Sequence, residues 1–396
     1  MNTDNSASLT IGFTGDLAFS GYFADCCGDD TLLGDGIKSF LGANDYNVIN
    51  FESPVTPCRI TKKKRLAHRS SPEALDFVKR NIKNPVLSFA NNHMMDFGTV
   101  GVVDTIESCK ASGVPFIGIG MNVSEAARCI ILGNGIKVGL LSVQYKHYRI
   151  ATAQSGGPLH ESRIDYIKAA IKSLKPKVDY VVLIYHGGDE FLHLPSAKIR
   201  HQFKKYLRWG CDAVVAHHPH VVQGYEYFGT KPVFYSLGNF VFDTDYQRAQ
   251  NDTDKGMLLR LKFTKSGIAF EALPTHIDRE NKKVSVGDDM SYFTDVKKPP
   301  AAVRKQEKLR KLDVIARTKA HKEQELQTRE EKHAKEQEKH AKEQVRIEQM
   351  EARAAIKEAL SDKTDPELAG RHFGDDNHGN PDEGHMERRL SAKDRI

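Results

Sequence analysis

Short apolar runs alternate with amphipathic segments over the first three-quarters of the chain, and six of those runs end in a polar cluster. Residues 8–14 lead into Gly15-Asp16, 47–50 into Phe51-Glu52, and 85–90 into Asn91-Asn92-His93 with Asp96 close behind. Further on, 179–185 lead into His186-Gly187-Gly188, 212–216 into His217-His218-Pro219-His220, and 232–237 into Gly238-Asn239. Continuous apolar runs bounded by turn residues predict buried strands. Ligands of open α/β sheets gather at the carboxyl ends of such strands. Six strand ends rich in His, Asp, Glu and Asn therefore predict one metal site, and a metallohydrolase.

Helical spacing predicts helices at 72–80, with Ser71 as N-cap and Pro72 in the first turn, and at 100–112, stopped by Gly113. Two more are expected at 159–174, ending before Pro176, and at 196–209, stopped by Gly210. Asn134-Gly135 before an apolar run at 136–143 predicts a hairpin. A second hairpin is expected from 256–263 and 268–273, turning at Lys265-Ser266-Gly267. Parallel units with antiparallel hairpins define an α/β class in which helices cover a sheet sandwich.

The pattern changes at Pro299-Pro300, which places one domain at 9–298 after a polar, disordered N-terminus at 1–8. Residues 302–360 are dense in helix formers, and Glu-Lys-His-Ala-Lys-Glu-Gln occurs twice in tandem, at 331–337 and 338–344. The seven-residue repeat predicts a coiled coil, hence a homodimer or a protein partner through 302–360. The apolar seam is thin, with Leu309, Leu312, Ile315 and Leu326 before the repeats and Val345, Ile347, Ile356 and Leu360 after them. A solvated helix held by i,i+4 charge pairs accounts for it equally. His333 and His340 read as surface residues. The polar tail at 361–396 reads as disordered.

Composition narrows the function. The chain has 396 residues, is 39% hydrophobic and carries a net charge of +6. That charge is small for the length and argues against nucleic-acid binding. The run Lys62-Lys63-Lys64-Arg65 reads as a solvated loop. Six scattered cysteines without a CxxC pair, and no basic leader ahead of an apolar stretch, predict reduced thiols and a cytoplasmic location. No run of about 18 apolar residues occurs, so no transmembrane segment is expected.

His218-Pro219-His220 is the sharpest local signal. Two imidazoles two residues apart point the same way in extended backbone, and Pro219 disfavours helix at His218. His186 follows a central-strand run and is a third imidazole. Asp16 and Glu52 supply hard carboxylates, either able to bridge two ions, and Asn92 supplies an amide oxygen. This mixed set favours Mn, Fe or Zn. A pair of ions about 3.5–4 Å apart would clamp a phosphoryl centre, with a bridging hydroxide as nucleophile. His93, outside the ligand set, is the candidate proton donor to the leaving group.

Taken together, Gly15-Asp16, Asn50-Phe51-Glu52-Ser53-Pro54, Ala90-Asn91-Asn92-His93 with Asp96 and Gly98, His186-Gly187-Gly188-Asp189-Glu190-Phe191, His217-His218-Pro219-His220 and Tyr235-Ser236-Leu237-Gly238-Asn239-Phe240 resemble the CapA family. That family is the capsule-synthesis (poly-γ-glutamate) branch of the calcineurin-like metallophosphoesterases, and the likeness covers roughly residues 9–278. The resemblance implies a four-layer α/β/β/α sandwich around a two-metal site. It implies Asp16, Glu52, Asn92, His186, His218 and His220 as ligands and His93 as the catalytic histidine. Glu190 and Asn239, with Asn91, Asp96 and His217, are implied to support the ligands or face substrate. Asp16-Leu17-Ala18 lacks the His of the wider superfamily's first motif, and Glu52 replaces its bridging Asp; both fit the CapA branch. Gly187 stands where family members often carry Trp, which widens the pocket.

The first expectation is a metal-dependent hydrolase acting on a phosphoester through a metal-activated hydroxide, on an anionic small molecule or polymer. Two alternatives share the residues. One is an accessory subunit of poly-γ-glutamate or capsule polymer synthesis that binds polyanion without catalysis. The other is a γ-glutamyl amide hydrolase.

Overall fold

The computed structural model describes residues 7–61, 66–145, 149–299 and 301–361. Two sheets face each other. The first has eight strands. Its path runs Lys283–Val286, Gly267–Asp278, Lys255–Thr264, Leu9–Gly21, Tyr46–Phe51, Pro85–Ser88, Phe116–Ile117, and Asn239–Asp243 pairs in parallel with Leu9–Gly21. The second runs Val222–Phe228, Lys231–Leu237, Ala213–His217, Tyr180–His186, Val138–Gln144, Ile130–Leu132. Its central strands are parallel and both outer pairs antiparallel.

Strand alternation divides the apolar residues into three layers. Ile11, Phe13 and Val48 of the first sheet meet Val182, Ile184 and Val215 of the second in the core between the sheets. Val181, Leu183 and Tyr185 point the other way, onto Ile167 and Ile171 of helix Ile164–Leu174 and Phe203 and Tyr206 of helix Ala197–Trp209. On the far side, Ile49 and Phe51 pack under Phe77 and Val78 of helix Glu73–Asn81 and Val102 and Ile106 of helix Gly98–Ser112. Period-2 strands thus place one apolar layer inside and one on each outer face. The product is the expected four-layer α/β/β/α sandwich.

One irregularity matters for the site. Phe13 pairs with Val48 and Asp16 with Asn50, so the first strand spends three residues where its neighbour spends two. The extra residue flips the parity. Ile11 and Phe13 face the second sheet, yet Leu17 and Phe19 face the helices. A β-bulge at Thr14-Gly15 re-aims the residues beyond it. Gly15 permits this because a Cβ there would lie 2.4 Å from the Gly238 carbonyl oxygen.

The hairpins form with shifted limits. Ile130–Leu132 pairs with Val138–Gln144, and Lys255–Thr264 with Gly267–Asp278, so Gly267 opens a strand rather than sitting in the turn. The helix expected from residue 159 begins at Ile164. Leu159 and Gln144 are bonded backbone to backbone, which holds that stretch extended. A helix spans Ala301–Ser361 and exposes Leu309, Leu312, Ile315, Leu326, Val345 and Ile347. Residues 62–65 and the tail from 362, about which loop and disorder were expected, lie outside the described residues. No helix among the described residues is long and apolar enough to cross a membrane.

Candidate metal centre

Neighbouring strand ends bring the predicted residues together. His186 and His217 close adjacent strands in register. Asp16 leaves the bulge, Glu52 follows Tyr46–Phe51, and Asn92 and His93 lie in the turns after Pro85–Ser88. Asp16, Glu52, His186, His218 and His220 are all buried.

Glu52 sits at the centre. Its Oε1 lies 3.4 Å from His186 Nε2, 3.7 Å from His220 Nε2 and 3.8 Å from His93 Nε2. Two ligand groups share it, one of Glu52, His186 and His218, the other of Asp16, Glu52 and His220. Asn92 Oδ1 is 2.7 Å from His186 Nε2 and joins the first. Neither Glu52 oxygen accepts a hydrogen bond, although both are buried. A dehydrated carboxylate in that state is costly unless a cation sits beside it. The residues therefore fit the binding of divalent metal, with Glu52 common to both groups.

The electrostatics agree. Burial pushes the Glu52 carboxyl up, against the attraction of His220. Burial also raises Asp16, but the hydrogen bond and charge of His220, then the charges of His186 and His217, hold it well below the carboxylate range. Burial lowers His220, and the Glu52 charge with the Asp16 hydrogen bond more than reverse this. Burial thus prevails at Glu52, while the histidine contacts outweigh it at Asp16.

Outer contacts fix the rings. His220 Nδ1 lies 3.2 Å from Asp16 Oδ2 and 2.9 Å from Asn239 Oδ1, and the Asn239 amide donates to the Thr253 carbonyl. Nδ1 therefore carries the proton and Nε2 turns toward Glu52. His217 donates Nε2–H to the Thr14 carbonyl at 2.9 Å and braces the bulge across the sheets. Burial drops it to about 4, so it stays neutral. His218 Nε2 meets Glu190 Oε1 at 3.3 Å, and Tyr246 donates to the other Glu190 oxygen at 3.0 Å. His93 donates Nδ1–H to Asp96 Oδ2 at 2.7 Å, while the Asn91 side chain accepts the His93 backbone N–H and donates to the Phe51 carbonyl.

One expectation is overturned. His218 and His220 do not share an extended backbone: their φ angles are +98° and +58°. The left-handed conformation sends the two rings into different ligand groups, with centroids 5.7 Å apart. Non-glycine residues in that region store roughly 1–3 kcal/mol each, a cost that clusters at functional sites.

Three contributors were not singled out from sequence. Asn50 donates to Asp16 Oδ1 at 2.8 Å and lies 3.2 Å from His186 Nδ1, tying both ligand groups together. Its signal was its place one residue before Phe51-Glu52 at the end of an apolar run. Tyr246 lies in a short helix with no motif, and His68 follows the basic run of the sequence with no periodic signal.

A four-layer sandwich whose facing strand ends hold two His-carboxylate groups around a shared Glu defines an α/β protein with a candidate metal centre. The chain matches the family described as bacterial capsule synthesis protein PGA_cap over residues 10–244, and it belongs to that family. It is 30% identical to the capsule biosynthesis protein CapA of Bacillus anthracis over 257 residues, 62% of each chain, so it spans somewhat under two-thirds of that relative. It is also 30% identical to the PGA biosynthesis protein CapA of Bacillus subtilis over 280 residues, 68% of this chain and 72% of that one. A solved structure of a novel phosphatase from Mycoplasma pneumoniae aligns with a TM-score of 0.45 and 12% identity over 72% of this chain and 96% of that one.

Proposed function

We propose that the chain is a metal-dependent phosphoester hydrolase serving capsule-polymer synthesis. The observation that carries this is Glu52, shared by two buried ligand groups with no hydrogen bond to its carboxylate and His93 at 3.8 Å. Asp16 and His220, with Glu52, would hold one ion. Glu52, Asn92, His186 and His218 would hold the other. Bound divalent ions supply an acidified water and charge neutralisation at phosphorus. The chain's residues do the rest. Asp96 fixes His93 with Nδ1–H directed away and Nε2 toward the centre, so a proton at Nε2 can pass to the leaving oxygen. Glu190, which accepts from Tyr246, contacts His218 beside the centre.

Metal analysis of purified protein and a phosphoesterase screen of wild type, Asp16→Ala and His93→Ala test the reading. Expected are bound metal and activity in wild type, loss of both in Asp16→Ala, and loss of activity with metal retained in His93→Ala. Metal binding without hydrolysis of any phosphoester would overturn the catalytic reading in favour of an accessory polyanion-binding role.

A further inference from the structure

His68 belongs to none of the six strand-end motifs, yet it is buried against the proton donor. Its ring meets that of His93 edge-on with centroids 4.1 Å apart. It also meets Phe242 edge-on at 5.0 Å, and Phe242 stacks on His220 at 5.0 Å with an interplanar angle of 13°. Four rings, His93, His68, Phe242 and His220, therefore form a continuous row from the proton donor to a ligand. Two hydrogen bonds fix the place of His68 in that row. Ser20 Oγ lies 3.0 Å from His68 Nδ1, and Ser20 is on the strand that carries Asp16. The His68 backbone N–H donates to Asp96 Oδ2 at 2.8 Å, the same oxygen that accepts from His93.

We propose that His68 is a positioning residue that, braced by Ser20, holds the His93 ring at its working distance from the metal centre. The chemistry is geometric. One Nδ1–H···O bond to Asp96 would by itself let the His93 ring swing about that bond. A flat, hydrogen-bonded neighbour on its side removes the swing, and Phe242 ties the stop to His220. Proton donation falls steeply when donor and acceptor leave hydrogen-bonding reach, and such a group contributes on the order of 10²–10⁴-fold. Misplacement by about 1 Å forfeits much of that.

The inference rests on the hydrolase reading, so its test combines a readout tied to activity with one that is not. His68→Ala should lower kcat at least about tenfold on an alkyl phosphate, whose leaving oxygen needs a proton. It should change little on a nitrophenyl phosphate, whose leaving group does not, and leave KM and metal content near wild type. His68→Phe keeps the ring contacts and should restore most of the loss, and Ser20→Ala should lie between. Loss of stability alone would depress both substrates together. In histidine-labelled protein, the proton resonance of His93 Nδ1–H should be sharp in wild type and His68→Phe and exchange-broadened in His68→Ala. Equal loss on both substrates, or an unchanged His93 resonance in His68→Ala, would overturn the proposal. If wild type hydrolyses nothing, the hydrolase reading fails and the resonance still decides the positioning role.

Discussion

Asp96 Oδ2 accepts the Nδ1–H of His93 at 2.7 Å, and the pair lies three residues apart in one turn. A carboxylate on Nδ1 fixes the tautomer and presents Nε2 to the centre. Asp96→Asn keeps the shape but offers an amide that can donate as well as accept. Activity on poor leaving groups should fall about tenfold to a hundredfold with metal content unchanged. Steady-state kinetics with parallel metal analysis checks this, and loss of metal in the variant would show that Asp96 acts on the ligands instead.

Glu52 separates metal binding from folding. Its buried oxygens accept no hydrogen bond, and burial pushes its carboxyl up. In metal-free protein Glu52→Gln should therefore be neutral or stabilising by about 1 kcal/mol. The same change removes the shared ligand, so added Mn²⁺ should raise Tm in wild type and barely in the variant. Thermal unfolding with and without chelator reads both. A metal-induced rise of wild-type size in Glu52→Gln would rule out the bridging role.

Much of this was legible in the sequence, for identifiable reasons. The runs 179–185 and 212–216 had to be buried strands, and His186 and His217 at their ends follow from length alone. The helices stopped by Gly113 and Gly210 end where expected because both glycines take positive φ, +70° and +122°. The hidden features depend on tertiary contact. The bulge at Thr14-Gly15 leaves no mark in an apolar run, because it is set by the neighbouring strand and the approach of Gly238. The left-handed His218 and His220 contradict local preference, since contacts with Glu190, Asp16 and Asn239 hold the loop against propensity. His68 reaches the site through bonds to residues distant in sequence, its backbone to Asp96, 28 residues on, and its ring to Ser20, 48 residues back.

The bulge makes its own prediction. A Cβ on Gly15 would stand 2.4 Å from the Gly238 carbonyl oxygen, which also accepts the Asp16 N–H at 2.9 Å. Gly15→Ala must push the two strands apart, at a cost of about 1–3 kcal/mol. Because Asp16 and Asn239 both lie at that contact, metal affinity should fall along with Tm. A variant that loses stability and binds metal as tightly as wild type would show that the bulge does not set the Asp16 position.

Far from the centre, Glu226 predicts the acid limit of stability. It is buried and takes a two-pronged bond from Arg200, at 3.0 and 2.7 Å, and another from the Tyr235 hydroxyl. Burial raises its carboxyl, but the bonds from Arg200 and Tyr235 outweigh this and hold it below the ordinary value of 4.5. A depressed carboxyl contributes stability above its unfolded value and loses it as pH falls through the folded one. Breaking a buried pair costs about 3–5 kcal/mol, and since the Arg200 side chain is 34% exposed the figure drops to about 2 kcal/mol. Glu226→Gln should therefore be less stable than wild type by a constant amount above about pH 5, with the gap closing as pH falls below 4.5. Denaturant titrations from about pH 3 to pH 8 would trace this, and a gap that widened toward low pH would contradict the sign of the shift.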